Sequence, residues 1–258
     1  MTARRGIFIA PFDELADPNT LAALAASAEA NGWDGLFLWD HVRYRAPVRA
    51  VADPWIALAA VAAATDRIRL GPLVTPLARR RVQKLARETV TLDHLSRGRL
   101  VLGVGLGSDR NGELEPFGEV TDPRERARLL DEGLARLASY WGGEFEPAPV
   151  QSPRIPVWVA ARWPNRRPLR RAAHWDGLFP IELPGPEALA ELAGAVSALR
   201  AEVGNDHAFD LIVDLPVDAD PAPWEAAGAT WILTEFGVGA SEKEVRDWIA
   251  VGVSAAGR

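Results

Sequence analysis

The sequence predicts an α/β fold, a single (β/α)₈ TIM barrel that extends over residues 1–258. Short apolar runs alternate with helical periodicities from one end of the chain to the other, and this alternation is typical of a parallel sheet. Eight strand-then-helix units can be counted, at about 32 residues each, which is close to the usual size of a βα unit. The length suits a one-domain barrel, and no connecting segment is long enough to separate two domains.

The predicted strands are short apolar runs bounded by turn residues. The first two cover residues 6–10 and 35–39, and the second ends at the polar pair Asp40-His41. The later strands cover residues 68–74, 100–104, 156–160, 209–215 and 230–234, and a further strand starts at Asp176.

The predicted helices begin at recognisable caps. Aspartate followed by proline occurs at Asp17, Asp53 and Asp122, where the carboxylate can accept hydrogen bonds from free helix amides and the proline fits the first helical position. Ser241 with Glu244 forms a capping box for the last helix. These caps place a helix after most of the predicted strands.

Composition and charge narrow the classes of partner. The chain is 48% hydrophobic and 25% charged, as in ordinary globular proteins. Its net charge of −6 provides no basic stripe for nucleic acid, and an anionic membrane surface would repel it. We therefore expect a small organic molecule as the substrate, with neither a nucleic acid nor a membrane as a partner.

Several kinds of site and segment are missing from the sequence. There are no cysteines, so disulfides, thiolate metal sites and a cysteine nucleophile are excluded. The apolar run near the N-terminus is interrupted by Asp13 and Glu14, which argues against a signal peptide. No run approaches the roughly 18 apolar residues of a membrane span. We expect a cytoplasmic protein.

The first candidate for chemistry is the pair Asp40-His41. In a TIM barrel the functional groups lie at the C-terminal ends of the strands, and this pair ends the second predicted strand. A histidine can donate or accept a proton near neutral pH. The alternative is a structural histidine that caps a loop.

Three further runs follow predicted strands. Residues 103–107 contain glycines, including Gly105 and Gly107, that would let a ligand approach the backbone. Ala160-Ala161-Arg162 precedes a helix whose free amides could bind a phosphate, with Arg162 adding charge; a solvated surface arginine is the alternative. The arginine run 79–81 could meet an anionic cofactor, but such a run is more often a solvated face.

The remaining polar candidates favour structural interpretations. His94 and His174 fall in predicted helices, as does Glu88 beside Arg87. The four histidines lack the His-x-His spacing of a metal-dependent hydrolase barrel, so we expect no metal site. The sequence also contains no Gly-x-Ser-x-Gly elbow and no Walker-type loop.

Several runs, in a particular order and spacing, carry a family resemblance over nearly the whole chain. They are Ala28-Glu29-Ala30-Asn31-Gly32-Trp33-Asp34, Trp39-Asp40-His41, Asp53-Pro54, Ala64-Thr65-Asp66-Arg67-Ile68-Arg69-Leu70-Gly71, Val74-Thr75-Pro76, Leu92-Asp93-His94-Leu95-Ser96-Arg97-Gly98-Arg99, Leu102-Gly103-Val104-Gly105, and Ile155-Pro156-Val157-Trp158-Val159 with Asp176-Gly177. Together they resemble the bacterial luciferase-like superfamily of flavin- and deazaflavin-dependent oxidoreductases.

The resemblance implies a barrel with the cofactor ring across the strand ends. The ring would lie against a non-proline cis peptide at Leu73-Val74, with Thr75 and the glycines Gly105 and Gly107 close by. The loop with Ala160, Ala161 and Arg162 would hold the phosphate. In members that use the deazaflavin coenzyme F420, a histidine in the position of His41 acts as acid or base. The resemblance also implies a homodimer formed through early helices.

Three hypotheses about function follow. The preferred one is an F420-dependent oxidoreductase that exchanges a hydride with a small organic substrate, while His41, positioned by Asp40, handles the proton. The second is an FMN-dependent monooxygenase that activates oxygen. The third is a non-catalytic flavin-binding or partner subunit. It is motivated by Arg162-Trp163, which stands where relatives commonly have two glycines in the phosphate loop.

Overall fold

The computed structural model describes residues 2–253 as a barrel of parallel strands surrounded by helices. The strands are β1 (Arg4–Ile9), β2 (Gly35–Leu38), β3 (Arg69–Pro72), β4 (Thr75–Pro76), β5 (Leu102–Gly105), β6 (Val157–Arg162), β7 (Gly177–Ile181), β8 (Asp210–Pro216) and β9 (Trp231–Glu235). They hydrogen-bond in the order β3-β2-β1-β9-β8-β7-β6-β5-β4. This arrangement confirms the predicted α/β barrel.

The third strand of the barrel is divided, which explains why nine strand segments replace the eight that were predicted. β3 pairs with β2 and β4 pairs with β5, and the peptide bond between them, Leu73–Val74, is cis. The cis bond lies where the family resemblance implied it. A parallel bridge between Leu70 and Leu100 connects the two sides of the division, so the inner wall continues across it.

The helices follow the strands around the outside. They are α1 (Pro18–Ala30), α2 (Pro54–Ala64), α3 (Val82–Leu95), α4 (Pro123–Ser139), α5 (Arg167–Ala172), α6 (Pro186–Glu202), α7 (Ala222–Ala226) and α8 (Glu242–Val251). Asp17, Asp53 and Asp122 accept backbone hydrogen bonds as N-caps, and Ser241 with Glu244 forms the capping box. Within residues 2–253, every helix is too short or too polar to span a bilayer.

Two layers of apolar side chains fill the fold. The inner layer is aromatic: Phe37, Trp158 and Trp231 are almost completely buried inside the barrel, and the centroids of the two tryptophan rings are 5.5 Å apart. The outer layer packs the other face of the strands against the helices. Because these rings fill the barrel interior, the space for a ligand lies at the ends of the strands.

Two charged residues within the family-like runs have structural roles. The Glu29 carboxylate accepts hydrogen bonds from the backbone amides of Asp66, Arg67 and Ile68, which lead into β3. The Arg99 guanidinium is buried and donates to backbone carbonyls at four positions before β5 and around the end of α2, namely Ala62, Thr65, Ile68 and Ser96. Each satisfies backbone groups that would otherwise lack partners.

Candidate active site

His41 lies just beyond β2, at the C-terminal mouth of the barrel. Its Nδ1 atom is 2.8 Å from Oε2 of Glu113, and its side chain remains 24% exposed. The rings of Phe12 and Tyr44 lie beside the imidazole, with centroids 5.9 Å and 5.2 Å away. The imidazole is therefore fixed on one side while part of it stays accessible to a ligand.

Glu113 was not predicted, and it is the residue that orients His41. It lies in the loop between β5 and α4, and its side chain is only 4% exposed. Its Oε1 atom accepts hydrogen bonds from the Val42 amide and from Nη1 of Arg79, both at 3.0 Å. Burial alone would raise the pKa of Glu113. The hydrogen bond and charge of His41, the Val42 amide and the charge of Arg79 outweigh burial and hold the pKa below its usual value.

The ionised Glu113 determines the roles of the two imidazole nitrogens. A carboxylate can only accept hydrogen bonds, so Nδ1 of His41 donates to it. In the described part of the chain Nε2 makes no hydrogen bond. Nε2 is thus the nitrogen that can exchange a proton with a ligand.

Asp40 makes no direct hydrogen bond to His41, contrary to the expected pairing, and among the described residues the side chain that binds the imidazole is Glu113. The Asp40 side chain is completely buried and accepts hydrogen bonds from the hydroxyl of Thr75 at 2.8 Å and from the guanidinium groups of Arg79 and Arg80 at 2.7–2.9 Å. Successive residues of an extended segment project to opposite faces. Asp40 therefore faces the surrounding elements while its neighbour His41 faces the mouth.

The arginine run also differs from expectation. The side chains of Arg79 and Arg80 are largely covered, at 6% and 19% exposed, and only Arg81 is a solvated residue. The buried acceptor Asp40 accounts for the difference because it pairs with both guanidinium groups. The run follows the third strand directly, and this position is the feature of the sequence that could have indicated that its arginines are covered.

Three of the predicted cofactor-binding residues come together on the inner wall. A Cβ atom placed on Gly105 would lie 2.8 Å from Val74 Cγ2 and 3.4 Å from Ala160 Cβ. Leu73 is buried in the inner aromatic layer beside this wall. Gly107 has a φ of +70°, and a Cβ atom there would lie 2.8 Å from Pro76, so glycine is required by both conformation and space.

The other predicted residues do not present side chains to this wall. The Thr75 hydroxyl donates to Asp40, and Ala161 packs into the outer layer. Arg162 is 42% exposed and pairs with Glu182, which also lies 3.5 Å from Arg110. The hydrogen bond with Arg162 is the main cause that lowers the pKa of Glu182. Two arginines on one carboxylate leave a net positive charge at this edge.

An acidic pair on the inner side of the barrel was not predicted from the sequence. Asp214 in β8 and Glu235 in β9 lie two residues beyond Ile212 and Leu233, which belong to the inner layer, so their side chains also face the interior. The two carboxyl groups are adjacent, and each affects the ionisation of the other. Burial and the adjacent Asp214 raise the pKa of Glu235 to about 7, and burial raises the pKa of Asp214. Acids at inward positions of apolar strands were the available signal.

The two histidines that were predicted to lie in helices differ, because His94 lies in α3 whereas His174 lies in the turn after α5. Nε2 of His94 is 2.8 Å from the carbonyl oxygen of Ala148, and His174 is exposed, away from His41 at the other end of the strands. Among residues 2–253, no three histidine, aspartate or glutamate side chains lie close enough together to hold a metal ion.

The lining of the mouth has the chemistry to accept a flat ring system. Its partly buried lining is apolar, with Trp39, Val74, Ala160 and Ile181 around the inner layer. The glycine at position 105 and the alanine at position 160 add little side-chain volume to this wall. Flavin and deazaflavin rings are flat, with apolar faces and polar edges, so the lining fits such a ring. The net positive charge near Arg162 is compatible with a phosphate at the rim.

Comparison with known proteins agrees with this architecture. The model of the luciferase-like monooxygenase family matches residues 5–253. An uncharacterised protein of Mycobacterium tuberculosis is 30% identical over 253 residues, which cover 83% of this chain and 86% of the relative. The phthiodiolone/phenolphthiodiolone dimycocerosates ketoreductase of the same organism is 30% identical over 230 residues, 73% of this chain and 58% of that protein. The match to the ketoreductase thus spans little more than half of its length.

Solved structures share the fold at low sequence identity. The coenzyme F420-dependent tetrahydromethanopterin reductase of Methanopyrus kandleri superposes with a TM-score of 0.74 at 16% identity, over all of both chains. The oxygenating constituent of the 3,6-diketocamphane monooxygenase of Pseudomonas putida, in complex with FMN, gives 0.70 at 18% identity, over 85% of this chain and 68% of that one. With the family match along almost the whole sequence, the chain belongs to the luciferase-like monooxygenase family.

Proposed function

We propose that this protein is an oxidoreductase that binds coenzyme F420 at the barrel mouth and exchanges a hydride with a small organic substrate. The observation that carries the proposal is the 2.8 Å contact between His41 Nδ1 and Glu113, which leaves the other ring nitrogen accessible at the mouth. The substrate would be a hydroxyl compound or its carbonyl counterpart. The ketoreductase among the relatives supports this class of substrate.

The chain's own residues supply the proton chemistry. When bound, the coenzyme would accept or donate the hydride. Nε2 of His41 would accept the hydroxyl proton as the substrate C–H bond breaks, and would return it to the carbonyl oxygen in the reverse direction. Glu113 would stabilise the imidazolium formed in between, because it is an ionised, buried acceptor. Val74, Gly105 and Ala160 would support one face of the ring.

The preference for F420 over FMN rests on the sequence pair Asp40-His41. The same pair characterises the F420-dependent members that the chain resembles. The FMN-containing monooxygenase among the structural neighbours supports the alternative, oxygen-dependent function. The two functions differ in whether oxygen is consumed during turnover.

The deciding experiment is a calorimetric titration of the purified protein with oxidised F420 and, separately, with FMN. Tight binding of F420 alone is the expected result, and it directs substrate screening to alcohols and ketones. Preference for FMN, followed by oxygen uptake with the reduced flavin, would replace the proposal with a monooxygenase. Binding of neither would favour a non-catalytic subunit.

We also propose a homodimer formed through α1 and α2. No charged residue occurs in α2, and Ile56 on its outer face is 67% exposed. Ala23 and Ala30 of α1 are exposed as well. Small exposed apolar side chains next to a large one suit burial against a second copy.

A further inference from the structure

Arg79 lies between two buried carboxylates. Its Nη1 atom donates to Oε1 of Glu113 at 3.0 Å, and its Nη2 atom donates to the Asp40 carboxylate at 2.9 Å and to the Asp40 carbonyl oxygen at 3.2 Å. All three side chains are at most 6% exposed. Asp40 and Glu113 come from different βα units, and this guanidinium joins them.

Asp40 provides a fixed anchor for this connection. Its carboxylate also binds Arg80 and the hydroxyl of Thr75, so it is held from several directions. Arg79 itself ends a short turn of helix, Leu77–Arg79, directly after β4. The guanidinium therefore reaches Glu113 from an anchored position rather than from a flexible loop.

The charge of Arg79 affects the ionisation of Glu113. Burial raises the pKa of this carboxyl group, whereas the contacts with His41, Val42 and Arg79 lower it. Without Arg79 the Glu113 carboxylate would lose the donor that fixes its Oε1 atom, and its Oε2 atom would no longer be held against Nδ1 of His41. A Glu113 carboxylate that no longer accepts from Nδ1 of His41 would leave the neutral imidazole free to carry its proton on Nε2.

We propose that Arg79 is a positioning residue that acts through Glu113 to keep the proton of neutral His41 on Nδ1. The nitrogen that faces the mouth, Nε2, is then the basic one. The catalytic meaning of this tautomer rests on the proposed function, but the tautomer itself is a property of the protein without ligand.

A solely structural role for Arg79 predicts a different result. If the guanidinium only stabilised the loop, its loss would lower the melting temperature and leave the proton of His41 in place. The neighbouring Arg80 offers a matched control, because it binds Asp40 and makes no hydrogen bond to Glu113 among the described residues. Arg80→Met removes a partly buried cation of the same type without breaking the contact with Glu113.

The test is a long-range ¹H–¹⁵N correlation spectrum of the histidine-labelled protein without ligand, at a pH where the imidazoles are neutral. His41 is assigned with the His41→Gln variant among the four histidines of the chain. We expect the Nδ1–H tautomer in the wild type, a shift of the dominant tautomer to Nε2–H in Arg79→Met, partial return in Arg79→Lys, and the wild-type pattern in Arg80→Met.

Two results would overturn the proposal. One is a wild-type spectrum with the Nε2–H tautomer, which needs no variant and so does not depend on whether Arg79→Met folds. The other is a folded Arg79→Met protein that keeps the wild-type tautomer. Neither depends on turnover. If His41→Ala leaves turnover unchanged while the tautomer responds to Arg79 as expected, the proposed function fails and the positioning role stands.

Discussion

His41 and Glu113 are separated by 72 positions in the sequence, yet Nδ1 of one lies 2.8 Å from Oε2 of the other. The histidine follows the second strand of the barrel and the glutamate lies in the loop after β5. Both project toward the mouth, where a TIM barrel places its functional groups. Their contact gives the imidazole one fixed and one accessible nitrogen.

Replacement of His41 tests its role in proton transfer. His41→Ala is expected to lower turnover by about 10²–10⁴-fold, the usual contribution of a positioned acid or base, with little change in coenzyme affinity. Turnover and calorimetric affinity are measured on the same preparation. His94→Ala, which removes an exposed histidine bound to the Ala148 carbonyl oxygen, is the control and should retain both. Undiminished turnover in His41→Ala would contradict the role.

The wall beside the divided strand should be sensitive to added volume. In Gly105→Val the new side chain would enter space within 2.8 Å of Val74 and 3.4 Å of Ala160, so we expect weaker binding of F420 or FMN in a protein that still folds. Calorimetry measures the affinity and circular dichroism checks the fold. The control is Gly194→Val in helix α6, where an added Cβ atom would meet nothing within 4 Å. Unchanged affinity in Gly105→Val would place the ring elsewhere.

The carboxyl pair of Asp214 and Glu235 predicts a pH-dependent stability. The folded pKa of Glu235, about 7, lies above its reference value of 4.5, so the folded state binds the proton more tightly than the unfolded state. The resulting stabilisation is complete below pH 4.5, declines as the pH rises to about 7, and is absent above it. Relative to Glu235→Gln, the free energy of unfolding of the wild type should fall by about 1–2 kcal/mol between pH 4.5 and pH 7. This figure allows for solvent screening of a partly exposed group.

Urea unfolding of the wild type and Glu235→Gln at pH 5 and pH 8 measures this difference. Asp218→Asn removes an exposed carboxylate from the loop after β8 and should show no comparable change with pH. A constant free-energy difference between the wild type and Glu235→Gln at both pH values would show that the pair does not hold a proton.

Arg99 should be important for stability and not for chemistry. Arg99→Met keeps most of the side-chain volume but leaves buried carbonyl oxygens, among them those of Ala62 and Ile68, without their donor. We expect a loss of about 3 kcal/mol in the free energy of unfolding, measured by urea titration. Arg97→Met is the matched control: Arg97 is 80% exposed, and its loss should change stability by less than about 0.5 kcal/mol.

The apolar outer face of α2 predicts the oligomeric state. Ile56→Glu introduces a charge on a side chain that is 67% exposed in the single chain, so the fold should survive while a dimer would be destabilised. Light scattering after size-exclusion chromatography should show a dimer for the wild type and a monomer for Ile56→Glu. Val251→Glu in α8, at a side chain 48% exposed, should remain dimeric. A monomeric wild type would contradict the dimer.

The barrel could be predicted because its signals are local. Apolar runs and aspartate caps such as those at Asp17 and Asp122 depend on neighbouring residues only, and the structure has them where the pattern places them. The division of the third strand could not be derived from periodicity, because the pattern over residues 68–74 predicts a single strand. Its position at Leu73–Val74 followed from the family resemblance instead.

The site could be predicted only in part, because its contacts join distant segments. His41 was identifiable from its place at the end of a strand, whereas Glu113 lies in an irregular loop with no periodic signal. The direction of Asp40 was available from strand alternation, which places neighbours on opposite faces. The burial of Arg79 was not, since it depends on two acceptors brought from other parts of the barrel.

The side chains of Asp40 and His41 point in opposite directions, so two neighbouring residues have separate roles, one in folding and one in turnover. The aspartate is an internal counter-ion for two arginines, and its loss would leave buried positive charge. A variant without it is therefore expected not to fold. The histidine contacts Glu113 and faces the mouth, so a variant without it is expected to fold and to lose only turnover. A related sequence that keeps the aspartate and lacks the histidine would therefore describe a protein that still folds as this barrel and has lost its acid–base group.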